Sequence, residues 1–151
     1  MAMAMQRELD EAAIRQQIGN VVESIHAKDL DGLRLVYAED VVSFDVEPPL
    51  EHVGVEAKLK NWGRVFTVFR EVEYEVRNLV LTVGDEVAFA RLFGRLHGTL
   101  ANGAATEGMW VRGTLCFQKR AGGWVVVHDQ ASVPFDVVSG RGVSDLEPTE
   151  V

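Results

Sequence analysis

The order of secondary-structure elements predicts an α+β domain in which helices cover one face of a curved, mainly antiparallel β-sheet. In the first third of the chain, apolar residues recur every three to four positions, which is typical of amphipathic helices. After Thr67, apolar and polar residues alternate instead, as they do in half-buried strands. Helices followed by a run of strands favour an α+β architecture with the helices gathered on one side of the sheet.

Three helices are expected before the long strands. The first spans about 9–27, where the apolar residues Ile14, Ile18, Val21, Val22 and Ile25 form one stripe. Asp29 stands where an N-cap belongs, ahead of a short second helix. A strand at 41–46 and a loop at Pro48 and Pro49 precede a third helix at 55–66, in which apolar residues are again spaced by three and four.

The remainder reads as an antiparallel meander that includes strands at 87–100, 108–119 and 124–134. In the strand before them the alternation changes phase near Arg77 and Asn78, which predicts a β-bulge. We expect one domain at 9–138, with a disordered or cloning-derived start at 1–8 and a loose tail at 139–151.

Composition excludes several classes of function. The formal net charge of −8 argues against nucleic acid as a partner, because phosphate binding needs clustered cations. The only cysteine, Cys116, cannot form an internal disulfide or a thiolate metal site, and this suits a reducing cytoplasm. No apolar run approaches the ~20 residues of a membrane span. The histidines are not clustered at ligand spacing, so neither a metal nor a cofactor is expected.

One face of the strand at 87–100 combines cations with aromatic residues. Because strand side chains alternate between faces, one row contains Phe89, Arg91, Phe93, Arg95 and His97, and the other contains Ala88, Ala90, Leu92, Gly94 and Leu96. A row of this kind either faces water or lines a pocket with a polar floor.

The last two strands predict which face meets the helices. Two rows are apolar apart from Asp129 and are expected to face inward: 109, 111, 113, 115 and 117, and 125, 127, 129, 131 and 133. The opposite rows mix polar groups with Trp110 and Trp124, as subunit interfaces do. We therefore expect a homodimer that forms through the outer face of the sheet.

Three segments resemble a known family: AKDLDGL at 27–33, YAEDV at 37–41 ahead of Phe44 and Asp45, and GWVVVH at 123–128. They are similar to the SnoaL-like and ketosteroid isomerase-like branch of the nuclear transport factor two-like superfamily. The resemblance covers about 9–134 and implies a helix-capped cone. It is weak for function, because the superfamily includes isomerases, dehydratases, cyclases and association domains.

The resemblance implies a role for Asp45, which matches the aspartate that moves the proton in ketosteroid isomerases. The two side chains that bind the oxyanion there match Val21 and Gly113, and neither of these residues has a donor. Since one such donor is worth ~3 kcal/mol in other enzymes, steroid isomerisation is not expected.

The resemblance also implies that Arg91, Phe93, Arg95 and His97 face the interior of the cone. A buried guanidinium requires a carboxylate, so we expect Arg91 to pair with Asp129. Arg95 or His97 would then hold an acidic or carbonyl-bearing ligand against Trp62 and Phe93.

Two classes of function remain open. One is an enzyme of the isomerase, dehydratase or cyclase kind, with Asp45 and His97 as candidate catalytic residues acting on a small hydrophobic or acidic molecule. The other is a noncatalytic ligand-binding or dimeric association module, in which Asp45 caps a strand and the Arg91–Asp129 pair is structural.

Overall fold

The computed structural model of the chain describes residues 1–149. Helices α1 (Ala2–Ala27), α2 (Leu30–Arg34) and α3 (Val55–Val68) are combined with strands β1 (Tyr37–Phe44), β2 (His52–Val53), β3 (Phe69–Val83), β4 (Val87–Leu100), β5 (Ala105–Thr106), β6 (Trp110–Arg120), β7 (Gly123–Ser132), β8 (Phe135–Asp136) and β9 (Arg141–Gly142). The α+β order predicted from the sequence is confirmed.

Seven strands form the main sheet, in the order β2-β1-β7-β6-β4-β3, and β5 pairs with β4. Strands β1 and β7 are parallel, and every other pair in this sheet is antiparallel. The helices cover one face, called the inner face below. Their apolar stripes meet the sheet in a core whose fully buried members include Ile14, Ile25, Val41, Phe117 and Val126.

Helix α1 begins at Ala2, seven residues before the start predicted from the sequence. Polar contacts of Arg7 hold the first turns of this helix, and the spacing of apolar residues does not reveal them. Arg7 donates to the carbonyl of Val83 at 2.5 Å and to Asp85 at 2.9 Å, which ties the helix to the β3–β4 turn. Residues 2–8 are therefore part of α1.

The second helix and the bulge lie where the sequence places them. The Asp29 side chain accepts from the backbone N–H of Gly32 and caps α2. The β3–β4 register shifts between Arg77 and Val80, and Asn78 takes a left-handed conformation with φ 57°.

The tail is not wholly loose, because β9 pairs with β8 and Val143 donates to the carbonyl of Pro134. Residues 150 and 151 of the predicted tail lie outside the described residues.

The row of β4 that carries the cations faces outward, so the predicted orientation of this strand is wrong. Ala88, Ala90 and Leu92 are buried against the helices, whereas Arg91 is exposed on the opposite face. Short side chains line the inner face because neighbouring elements pack closely on this strand. The arginines remain near water or carboxylates, which avoids the cost of burying an unpaired charge.

The predicted orientation of β7 is correct at one end of the strand and wrong at the other. A bulge in the β6–β7 pairing sets Phe117 opposite Val126 and Cys116 opposite His128. Asp129 faces inward as predicted, but Trp124 and Val126 also turn inward. Trp124 is therefore a core residue under α1 and is not part of an outer interface.

Candidate functional site

Asp45 follows directly after β1 and points into the interior of the cone, with 16% of its side chain exposed. Two side chains of α3 bind its carboxylate. Lys58 Nζ lies 2.8 Å from Oδ1, and Asn61 Nδ2 donates to Oδ2 at 2.7 Å. Both oxygens of Asp45 are therefore engaged by one helix, which fixes the orientation of the carboxylate.

Lys58 is 3% exposed and joins Asp45 to a second carboxylate. Its Nζ lies 3.2 Å from Oδ2 of Asp129, and the buried hydroxyl of Ser43 donates to Oδ1 of the same aspartate. The ammonium group also lies 5.6 Å from the ring centroid of Tyr37 and 5.8 Å from that of Trp62. The resulting group of Ser43, Asp45, Lys58 and Asp129 is called the lysine–aspartate cluster below.

The surroundings keep Lys58 charged. Burial alone lowers the pKa of Lys58, but the carboxylates of Asp129 and Asp45 outweigh burial and raise the pKa above its ordinary 10.5. Burial raises the pKa of the Tyr37 phenol above its ordinary value, so this group keeps its proton. The Lys58 ammonium group is shared between the carboxylates of Asp45 and Asp129, so it has no free charge for a further anion.

His52 of β2 stands beside the cluster and is 5% exposed. Its Nε2 lies 3.4 Å from Oδ2 of Asp45, within ion-pair distance. The angles do not form a hydrogen bond, and Nε2 has no hydrogen-bond partner among residues 1–149. The unpaired nitrogen therefore offers a hydrogen-bonding position to a ligand or water that enters the cone.

Two of the predicted ligand-binding residues lie in the interior. Trp62 donates from Nε1 to the hydroxyl of Tyr37 at 3.3 Å and packs on Phe66 with ring centroids 5.8 Å apart. Asp129 belongs to the lysine–aspartate cluster. Its cationic partner is Lys58, so the predicted Arg91–Asp129 pair is wrong.

The other predicted side chains lie on the outer face, because β4 has the opposite orientation. Strand pairing sets Phe93 opposite Arg112, and Arg95 opposite Glu75 and Trp110. Arg95 pairs with Glu75 at 2.8 Å and Glu107 at 3.0 Å. His97 lies opposite Glu73 and lines a separate groove of about 460 Å³ beside the end of α1. These residues do not contribute to the interior site.

The two positions that match the oxyanion-binding residues of ketosteroid isomerases have no side-chain hydrogen-bond donor in this chain. Val21 is buried in the core, and Gly113 lies on the inner face with the Leu92 side chain above it. An oxyanion in this cone would require a donor from another position.

A pattern in the sequence indicates Lys58, although this residue is not among the predicted site residues. This lysine lies on the apolar stripe of α3, with Val55 three residues before it and Trp62 four residues after it. A lysine at a core position of an amphipathic helix requires an acidic partner. No comparable pattern marks Ser43, His52 or Asn61. Ser43 and His52 reach the site through the pairing of β1 with β7 and β2, and Asn61 reaches it because α3 lies beside the end of β1.

The inner face is less covered beyond the lysine–aspartate cluster. Strand pairing places Leu115 opposite Asp129, and the neighbouring inner-face residues Tyr74, Leu96, Val111, Gly113 and Ala131 are all half-buried. We call this half-buried apolar region the cone mouth.

A groove of about 520 Å³ between α2 and α3 lies elsewhere and does not include the cluster. Among residues 1–149, no three His, Cys, Asp or Glu side chains are arranged to hold a metal. None of the helices in that part has the length and hydropathy needed to span a bilayer.

Comparison with solved structures identifies the fold. An NTF2-like (nuclear transport factor 2-like) protein of unknown function from Pseudomonas putida is 25% identical, with a TM-score of 0.81 over 91% of this chain and 96% of the other. An NTF2-like protein with a cystatin-like fold from Novosphingobium aromaticivorans is 16% identical, with a TM-score of 0.77 over 92% and 91% of the two chains. A candidate dehydratase of the NTF2-like family from Streptomyces avermitilis is 14% identical, with a TM-score of 0.71 over 83% and 97%.

Comparison with curated proteins gives no match. The family model of the SnoaL-like domain matches residues 14–136. This range includes the second half of α1, all of α2 and α3 and every strand of the main sheet. The helix-capped curved sheet and this match lead to the same assignment: the chain belongs to the SnoaL-like domain family, within the NTF2-like fold.

Proposed function

We propose that the cone mouth binds a small, largely apolar carbonyl compound and that Asp45 moves a proton on it, in chemistry of the isomerase, dehydratase or cyclase type. The observation that carries this proposal is the position of Asp45. It is a partly exposed carboxylate in the cone interior, oriented by Lys58 and Asn61 and accompanied by the unpaired imidazole of His52.

The proton transfer needs no group beyond those present. Asp45 would remove a proton from the carbon next to the carbonyl, and the electron pair of that C–H bond would move toward the carbonyl oxygen as an enolate. Protonated Asp45 would then return the proton to carbon. Lys58 remains an ammonium throughout, so it stabilises the ionised form of Asp45 between turnovers.

The charge of the interior favours a neutral ligand over an acid. The expectation of an acidic ligand depended on Arg91 and Arg95 facing inward, and both face outward. Lys58, the cation of the cluster, is already offset by Asp45 and Asp129. A carboxylate entering the cone would find the Lys58 ammonium already paired with two aspartates, in a partly desolvated site.

Hydrogen–deuterium exchange tests this proposal. Wild-type protein should accelerate the exchange of α-protons of cyclohexenone and tetralone in D₂O, followed by NMR. Asp45→Asn should lower the enzymatic rate by about 100-fold or more, the range reported for removing a general base. Arg91→Ala changes an exposed outer-face residue and should leave the rate unchanged. Equal rates for wild type and Asp45→Asn would overturn the assignment of Asp45.

A second candidate function is a dimeric association module, and the outer face supplies the observation that favours it. Phe89 is 46% exposed and Phe44 is 39% exposed on this face, beside the polar residues Arg91 and Thr114. Exposed aromatic side chains next to arginine are typical of subunit interfaces. We propose a homodimer through this face. Dimer formation is compatible with the acid–base site, because the two lie on opposite faces of the sheet.

A further inference from the structure

Tyr74 lies across the inner face of the sheet in a space that Gly94 leaves free. Tyr74 is on β3, and the end of its ring extends over the neighbouring strand β4. A Cβ atom at position 94 would be 1.9 Å from the Tyr74 hydroxyl oxygen and 2.5 Å from Cζ. Real Cβ atoms do not approach other atoms this closely, so any other residue at 94 would displace the ring. The position of the Tyr74 hydroxyl therefore depends on the absence of a side chain at Gly94.

The Tyr74 hydroxyl is available to a ligand. Tyr74 is half-buried at the cone mouth, and no side-chain hydrogen bond involves it within residues 1–149. In that part of the chain, the solvent-inaccessible side-chain atoms without a hydrogen-bond partner are His52 Nε2 and Arg95 Nε. The Tyr74 oxygen is not among them, so it is accessible to solvent. An unpaired hydroxyl that reaches the open part of an apolar surface can bind an entering acceptor without breaking an internal bond.

The hydroxyl also keeps its proton at neutral pH. Burial, with a smaller effect of Asp129, raises the pKa of Tyr74 to about 12, although Lys58 acts in the opposite direction. Tyr74 is therefore a hydrogen-bond donor throughout the physiological range of pH. Tyr74 packs against the buried core on the inner face, as does Leu115, which lies opposite Asp129, so the hydroxyl is on the same side of the sheet as the lysine–aspartate cluster.

We infer that the Tyr74 hydroxyl donates the hydrogen bond that holds the carbonyl oxygen of the ligand, and that Gly94 is the residue that makes this position available. The inference rests on the proposed function and assigns the ligand a neutral acceptor oxygen next to an apolar body. Tyr74, on β3, supplies the hydrogen-bond donor that the side chains of Val21 and Gly113 lack.

The first test concerns the geometry and needs no ligand. Tyr74→Phe removes a hydroxyl without an internal partner, so its urea midpoint should equal that of wild type. Gly94→Ala should lower the midpoint in the wild-type background and have no further effect in Tyr74→Ala, where the ring is absent. Gly123→Ala, at an exposed strand glycine where the added Cβ would lie 3.8 Å from the Arg120 carbonyl oxygen, controls for a general effect of alanine in a strand. A cost of Gly94→Ala that is the same with and without Tyr74 would contradict the contact.

The second test concerns the ligand. Cyclohexenone and tetralone are titrated by NMR against wild type, Tyr74→Phe and Arg91→Ala, with cyclohexanecarboxylate as the matched acid. The ketones should bind wild type and Arg91→Ala equally and bind Tyr74→Phe about 10-fold more weakly, as for one lost hydrogen bond. The acid should bind least. Equal ketone affinity of wild type and Tyr74→Phe would overturn the role of Tyr74 and leave the proposed function standing. Absence of ketone binding to wild type would overturn the proposed function, and this inference with it.

Discussion

Lys58 connects the two carboxylates of the interior. Asp45 and Asp129 come from β1 and β7, which are parallel neighbours in the sheet, and without a cation between them their charges would repel each other in a poorly solvated space. Lys58 is on α3, outside the sheet. Its ion pairs therefore hold this helix over the ends of the two strands while they orient the candidate acid–base group.

Replacing Lys58 should destabilise the fold more than replacing a surface lysine. Lys58→Met leaves two buried carboxylates without their cation, so we expect the free energy of unfolding to fall by ~3 kcal/mol or more. Urea denaturation followed by circular dichroism measures this change. Lys60→Met, at an exposed position of the same helix, should change stability by less than ~0.5 kcal/mol. Similar losses for both variants would contradict a buried ion-pair network.

Individual residues of the site were predictable only in part. Asp129 and Trp62 are interior residues, as their alternation and helical spacing indicate. The outward position of Arg91 was not evident, because both rows of β4 contain apolar residues. The larger apolar residues, Phe89 and Phe93, lie on the outer row, and the buried row is small. The Tyr74 ring lies over Gly94 on the inner row, and a side chain at this position would collide with it.

At the scale of elements, α1 is fastened to the sheet by one buried carboxylate. Asp10 Oδ1 accepts from Trp124 Nε1 at 3.0 Å, from Lys119 Nζ at 3.0 Å and from Gln6 Nε2 at 3.1 Å. The helix thereby binds the β6–β7 hairpin at a point that hydrophobic spacing does not reveal. The bulge that turns Trp124 inward makes this contact possible.

Asp10→Ala should destabilise the protein by ~2–3 kcal/mol, because it removes charged hydrogen bonds and leaves the buried indole N–H of Trp124 unpaired. Thermal and urea unfolding measure the effect. Glu11→Ala, at the next and exposed position of α1, serves as the matched control and should be nearly neutral. If Asp10→Ala unfolded at the wild-type midpoint, the anchoring role of Asp10 would be refuted.

The same carboxylate should make stability depend on pH in the acid range. Burial alone raises the pKa of Asp10, but hydrogen bonds from Trp124, Lys119 and Gln6 outweigh it, so the pKa is lower than its ordinary 3.8. A lowered pKa in the folded state stabilises the protein above pH 3.8, and this contribution is lost as pH falls through the folded-state value. The stability difference between wild type and Asp10→Asn, measured by urea unfolding, should therefore be largest near neutrality and shrink in acid. A difference that is constant with pH would contradict the shifted pKa.

At the scale of the whole molecule, the proposed dimer makes a testable surface prediction. Trp110 is on the outer face but is covered by the guanidinium groups of Arg77 at 4.4 Å and Arg95 at 4.9 Å, so Phe89 is the better position to probe. Phe89→Glu should convert the proposed dimer to monomer in sedimentation experiments. Val138→Glu changes an exposed apolar residue of the tail and should not. A wild-type protein that sediments as a monomer would exclude this interface.

The architecture was predictable from the sequence because it depends on averages over many residues. Helical periodicity, strand alternation and the cap at Asp29 each indicate the correct element without information about distant parts of the chain. The site was less predictable, because it depends on the phase of single strands. One bulge between β6 and β7 reverses part of a row, and Lys58, Asp45 and Asp129 meet only when three separate elements are in place.

The central claim is that the inner face, and not the outer face, binds a small neutral molecule. Methyl NMR of the wild-type protein titrated with tetralone tests it most directly, since both faces carry methyl groups. We expect shifts at Leu96, Val111, Leu115 and Ala131 around the cone mouth, with none at the exposed outer-face residue Val80. Shifts confined to Val80 and its outer-face neighbours, or no shifts at saturating tetralone, would contradict it.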